Sequence, residues 1–140
     1  MAFELPFQVL LGTLTASSDY NDAADQFCLV KATGAGFKKS TGLGGTAIGV
    51  LQDRPSSGTP GAICILGVTK VRCNTTSRSA IAFGDKLCAS SGLGGVKGST
   101  GLTRYVVGRA LSPLAANLVG LITMSFNPEG AGSTLGVQGG

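Results

Sequence analysis

Two short apolar runs, Thr46 to Leu51 and Ala62 to Cys73, flank ten residues dense in proline, glycine and serine, Gln52 to Gly61. Both runs are rich in β-branched residues, and Pro55, Gly58, Pro60 and Gly61 break any helix between them, so the stretch reads as strand, long turn, strand. Gly67 interrupts the second run, and a lone glycine in a strand pattern marks a bulge or a close backbone approach. Beyond it Thr69, Val71 and Cys73 fall on one face and Val68, Lys70 and Arg72 on the other. One face is expected to be buried and the other wet.

That unit occurs twice. At an offset of 59 residues, Lys38, Ser40, Thr41, Gly42, Leu43, Gly49, Gly61 and Ile63 fall on identical residues, 8 of the 29 positions from Lys38/Lys97 to Leu66/Ser125. The register holds without a gap. A fold built from two similar strand-turn-strand halves is therefore expected.

A chain of 140 residues forms about one domain. Glycine, at 23 residues, is more than twice its usual share of about 7%. Tryptophan and histidine are absent. These features predict an all-β protein, a small β-barrel or β-sandwich. No apolar run approaches the roughly 18 residues of a membrane span, and the start, Met-Ala-Phe-Glu, has no basic leader, so the chain is expected to cross no membrane and to stay where it is made.

Charge is distributed unevenly along the chain. Residues 1 to 30 hold Glu4, Asp19, Asp22 and Asp25 and no Lys or Arg, a balance of −4. Residues 31 to 140 hold all 11 basic residues against Asp53, Asp85 and Glu129, a balance of +8. An acidic leader on a basic body favours docking one onto the other, within a chain or between neighbours. The basic residues are scattered singly and carry no interleaved aromatics, which argues against a nucleic-acid groove.

Three regions follow: an N-terminal arm and acidic loop over residues 1–26, a β-domain over 27–126, and a Gly-rich tail over 127–140. In the arm, Phe3, Leu5, Phe7, Val9 and Leu11 surround Pro6, which predicts an extended apolar segment covered by a neighbouring subunit or another partner protein. Strands are expected at Phe27 to Val30, Lys86 to Ala89, Thr103 to Leu111 and Asn117 to Phe126, the last apolar on both faces and hence central. The Gly-rich stretches Gly34 to Gly45 and Ser91 to Gly101 read as flexible crossings.

Catalytic constellations are missing. Without histidine the commonest general base and metal ligand is gone. Asp53 and Asp85 sit at turns, where aspartate serves its own backbone. Gly36 to Gly42 lacks the Gly-Lys-Ser/Thr order of a phosphate loop. Cys28, Cys64, Cys73 and Cys88 form no Cys-x-x-Cys pair, which predicts buried thiols rather than a zinc site. No enzyme activity, cofactor or metal is expected.

The pattern Ala47-Ile48-Gly49-Val50-Leu51-Gln52-x-x-Pro55-x-x-Gly58, the Gly67-Val68 step, Ile81-Ala82-x-Gly84-Asp85-x-Leu87 and Val106 to Leu111 resemble the capsid cement, or head decoration, proteins of tailed bacteriophages over about residues 27 to 126. The resemblance implies a small β-domain that binds the assembled major capsid protein on the outer surface of the virion, often as a homotrimer. On this reading the contacts run through Phe3, Leu5, Phe7, Val9 and Leu11 of the arm, Leu43 and Leu93 of the Gly-rich loops, and Arg54, Arg72 and Arg104. Another phage module, a tail-tube or fibre-base β-domain, is the alternative. A carbohydrate-binding β-domain fits less well, since tryptophan is absent and only Tyr20 and Tyr105 could stack on a sugar.

Overall fold

The computed structural model describes residues 8–41, 47–73, 81–89, 96–98, 106–113, 115 and 118–124. Among them are nine strands and no helix: β1 Gln8–Leu11, β2 Leu29–Thr33, β3 Gly36–Lys39, β4 Gly49–Leu51, β5 Ile63–Arg72, β6 Lys86–Ala89, β7 Val96–Gly98, β8 Val106–Ala110 and β9 Val119–Met124. The protein is all-β. Its antiparallel ladders join into one curled half-barrel sheet in the order β3-β2-β4-β5-β9-β8-β6-β7, with β1 paired to β5 beside that path.

The 59-residue repeat is structural. β4 meets β5 through Val50↔Cys64 and Leu51↔Ile63. Adding 59 to each number gives Arg109↔Thr123 and Ala110↔Ile122, the register of β8 on β9. Likewise Val30↔Lys39, Lys31↔Lys38 and Ala32↔Phe37 on β2–β3 recur as Leu87↔Gly98, Cys88↔Lys97 and Ala89↔Val96 on β6–β7, at offsets of 57 on the first strand (87 − 30) and 59 on the second (98 − 39). Hydrogen bonds at the strand ends repeat as well. Phe27 N donates to Leu51 O at 2.8 Å and Leu51 N to Cys28 O at 2.9 Å; their counterparts are Gly84 N to Ala110 O at 2.8 Å and Ala110 N to Asp85 O at 3.0 Å. Each half also brings its backbones together at one glycine: a Cβ on Gly49 would fall onto the Cys64 carbonyl oxygen, and one on Gly108 onto that of Thr123.

Each half turns the same three positions into a core. Val30, Leu51 and Ile63 cluster with Phe37, closed by Ala16 and Tyr20, with Leu11 and Leu14 packed against them. Their counterparts Leu87, Ala110 and Ile122 build the other cluster, closed by Leu29, Val50, Val71 and Cys73 of the first half. The first half is thus buried on both faces. The second is buried on one, because Lys86 and Arg109, counterparts of the buried Leu29 and Val50, are exposed.

β5 links the two cores. Its pairing with β1 slips from Val9↔Leu66 to Leu10↔Cys64, which makes Ile65 the extra residue of a bulge, and Gly67 follows with φ 107°. Before that point Ile63 and Ile65 contribute to one cluster, and after it Val71 and Cys73 contribute to the other. The expected alternation holds in outline: Thr69, Val71 and Cys73 are buried, while Lys70 is exposed and Val68 and Arg72 are half-buried.

Two expectations need correction. Residues 8–26 belong to the body and form no separate arm: β1 pairs with β5, Thr15 bridges to Pro60 and Ala16 to Phe37, and Ala16 and Tyr20 are core residues. The stretches read as flexible crossings contain β3 and β7, equivalent strands in the two halves. Residues 1–7 and the expected tail at 127–140 lie outside the described residues.

Candidate interaction surface

Of the ten residues expected at an interface, Phe3, Leu5, Phe7, Leu43, Leu93 and Arg104 lie outside the described residues. The other four do not converge on one patch. Val9 and Leu11 are half-buried in β1, and Leu11 packs on the protein's own core. Arg54 is exposed on the turn between β4 and β5. Arg72, at the end of β5, is half-buried and its Nη2 donates to Ala23 O at 2.9 Å.

The acidic leader docks within the chain. Asp25 forms an ion pair with Lys39 on β3, and Asp19 Oδ1 accepts from Ser57 N at 2.7 Å. Tyr20, stacked on Phe37 at 5.7 Å between ring centroids, accepts from Lys39 N through its hydroxyl at 3.2 Å. The loop is therefore pinned over the first half's core, and Asp19 and Asp25 find local partners. Asp53 and Asp85 serve turns as expected: both carboxylate oxygens of Asp53 accept from Ala62 N at 3.1 Å, and Asp85 Oδ2 accepts from Ala82 N at 2.8 Å. Cys28, Cys64, Cys73 and Cys88 are all buried. Burial pushes the Cys28 and Cys64 thiols above their ordinary pKa, with nearby Lys39 and Arg72 opposing that at Cys28.

What the strands do bring together is the outer face of β5, β9, β8 and β6. Antiparallel partners share a face, so Val68, Thr123, Arg109 and Lys86 form one row across four strands. Lys70 and Leu121 form the next, then Arg72 and Val119. Leu66 and Leu121 are large apolar residues in water, 45% and 42% exposed, and Val119 is 37% exposed. The sequence hid this face. β9 is central, as its apolar character predicts, but its odd-numbered residues point outward; the cross-strand neighbours Lys70 and Arg72 were the available signal.

No family model and no curated protein matches the chain. Its fold is similar to a solved structure, the N base of the head fiber gp8.5 of bacteriophage phi29. The match has a TM-score of 0.57 at 15% sequence identity and covers 85% of this chain and 95% of that one. A likeness at that identity is one of fold, and it spans nearly all of both chains.

Proposed function

We propose that this protein is a structural, non-catalytic subunit of a bacteriophage head: a cement or decoration protein that binds the assembled major capsid protein from outside, as a homotrimer, and stabilises the shell. The observation that carries this reading is the fold likeness to a head-fibre base over 95% of that chain. The strand and turn motifs that resemble head decoration proteins support it independently. A protein that binds only the assembled lattice shifts the equilibrium away from disassembly by mass action, with no active site. Three linked copies would engage neighbouring shell subunits at high effective concentration, so individually weak contacts become long-lived.

A second reading, a fibre-base module that anchors a projecting shaft, is favoured by the same neighbour. The two differ in what the heads show. Heads stripped of the protein should open at a lower temperature than complete heads if it is a cement, and readdition should restore the difference. Stripped heads that are equally robust but have lost a projecting shaft in electron micrographs would select the fibre-base module. Mass measurement of the free and particle-bound protein tests the trimer, which a stable monomer or dimer in both states would overturn.

A further inference from the structure

We infer that the outer face of β5, β9, β8 and β6 is the docking face for the shell, and that the partner surface it fits is protein, apolar at its centre and acidic beside it. This inference rests on the proposed head function. Three observations lead to it. First, Leu66, Val119 and Leu121 are exposed together on paired strands with Val68 half-buried among them, an apolar stripe along the middle of the sheet. Second, the cations around it, Lys70, Lys86 and Arg109, meet no acid on these strands, since Ile63–Arg72, Lys86–Ala89, Val106–Ala110 and Val119–Met124 contain no Asp or Glu. Third, Lys86 and Arg109 are directly opposite each other across the β6–β8 ladder. Like charges so placed destabilise a sheet, and an acidic partner would turn that cost into attraction.

The internal repeat supplies the contrast. Leu29 and Val50, which occupy the positions of Lys86 and Arg109 in the first half, are buried against the second half. The same face of the same unit is thus a packing surface in one copy and a cationic, open surface in the other. A second copy of this face is a poor occupant, because twofold pairing would set its cations against each other. The exposed acidic loop of another copy, Ser17, Ser18, Asp19, Asn21 and Asp22, offers charge but no large apolar residue to cover Leu66 and Leu121. Nucleic acid would call for stacking aromatics, and this face presents aliphatic side chains.

The test is binding of purified protein to heads stripped of it, using Lys86→Glu/Arg109→Glu, Leu121→Asp, and as control Lys38→Glu on β3 at the far end of the sheet. Wild type and the control should bind alike, with affinity falling as salt rises, and the two face variants should bind at least about tenfold more weakly. Circular dichroism establishes that each variant is folded. Because Leu121 is exposed, Leu121→Asp remains informative even if the charge reversal disturbs the bond from Arg109 Nη1 to Gly84 O. Carbodiimide coupling on the particle should join Lys70 and Lys86 to Asp or Glu of the shell protein. Equal binding of wild type and both face variants, or coupling only through Lys31, Lys38 and Lys39, overturns this face and leaves the head function standing. Wild type that does not bind heads overturns the head function and the shell as partner.

Discussion

Phe27 is the one non-glycine residue among those described with a positive φ, 64°, and its counterpart in the second half is Gly84 at 85°. The same backbone bend is thus made once with strain and once without. A left-handed non-glycine residue costs about 1 to 2 kcal/mol, which Phe27 offsets by packing against the core and by placing its ring under Lys70 Nζ at 5.7 Å. Phe27→Gly and Phe27→Ala lose the same packing, but only the first relieves the strain, so Phe27→Gly should be the more stable by about 1 kcal/mol in urea unfolding. The reverse order would refute the strain account. A Cβ at Gly84 would meet open space, so Gly84→Ala should cost about 1 kcal/mol from φ alone, whereas at Gly108 it meets backbone, and Gly108→Ala should cost about 3 kcal/mol or more. The thiols give a pH prediction. Burial raises Cys28 and Cys64 above the ordinary thiol value, so the fold favours the neutral thiol. That contribution is complete below the unfolded-state value, about 8.5, and disappears as pH rises through the higher folded-state values. The urea midpoint should therefore be insensitive to these groups up to pH of about 8.5, fall above it, and fall less steeply in Cys28→Ala/Cys64→Ala.

β1 is the element whose role changed most between sequence and structure. It pairs with Ile63–Gly67 and carries Leu11 onto the core, while β9 takes Gly67–Arg72, so the two divide one edge of β5 between them, opposite the edge paired with β4. Deleting residues 2–12 should accordingly lower the stability of the isolated protein, by on the order of 2 kcal/mol from a short ladder and one half-buried leucine. An unchanged unfolding midpoint would return β1 to the status of a detachable arm. The sequence of this segment, alternating apolar residues after a proline, shows an extended strand that needs cover; it does not say which edge supplies the cover, because nothing in it records that the β9 ladder on β5 stops at Gly67. β3 and β7 are hidden in the sequence for a related reason. Gly36 and the glycines around Val96 read as breaks, yet at Gly36 the missing Cβ is what admits Thr15 O, and Phe37 N donates to that oxygen at 2.9 Å. A glycine required by close approach and a glycine in a loose loop look alike in one sequence. β4, β5, β8 and β9 were legible because β-branched residues and the 59-residue repeat agree there.

At the scale of the molecule the repeat was readable, but its assembly was not, since the two halves use their faces differently although their registers match. The bulge at Ile65 lets the pleat of β5 present Ile63 to one core and Val71 to the other. The second half then closes its core on the back of the first, and the face left over is the cationic one. This arrangement bears on whether the halves fold independently. Without the second half, Leu29, Val50 and Val71 would be uncovered, a loss of roughly 5 to 9 kcal/mol at about 1.5 to 3 each, comparable with the 5 to 15 kcal/mol that holds a whole domain together. The six-residue β5–β9 ladder would be lost as well. The first half, despite its own cluster around Phe37, should therefore not survive alone, and unfolding should be a single cooperative step. Hydrogen exchange checks this: amides on β2 and on β8 should open with the same free energy. Leu87→Ala, in the cluster that spans both halves, should lower both together by about 2 to 5 kcal/mol. Protection that falls on β8 while β2 keeps its wild-type value would mean that the duplicated halves still behave as two units.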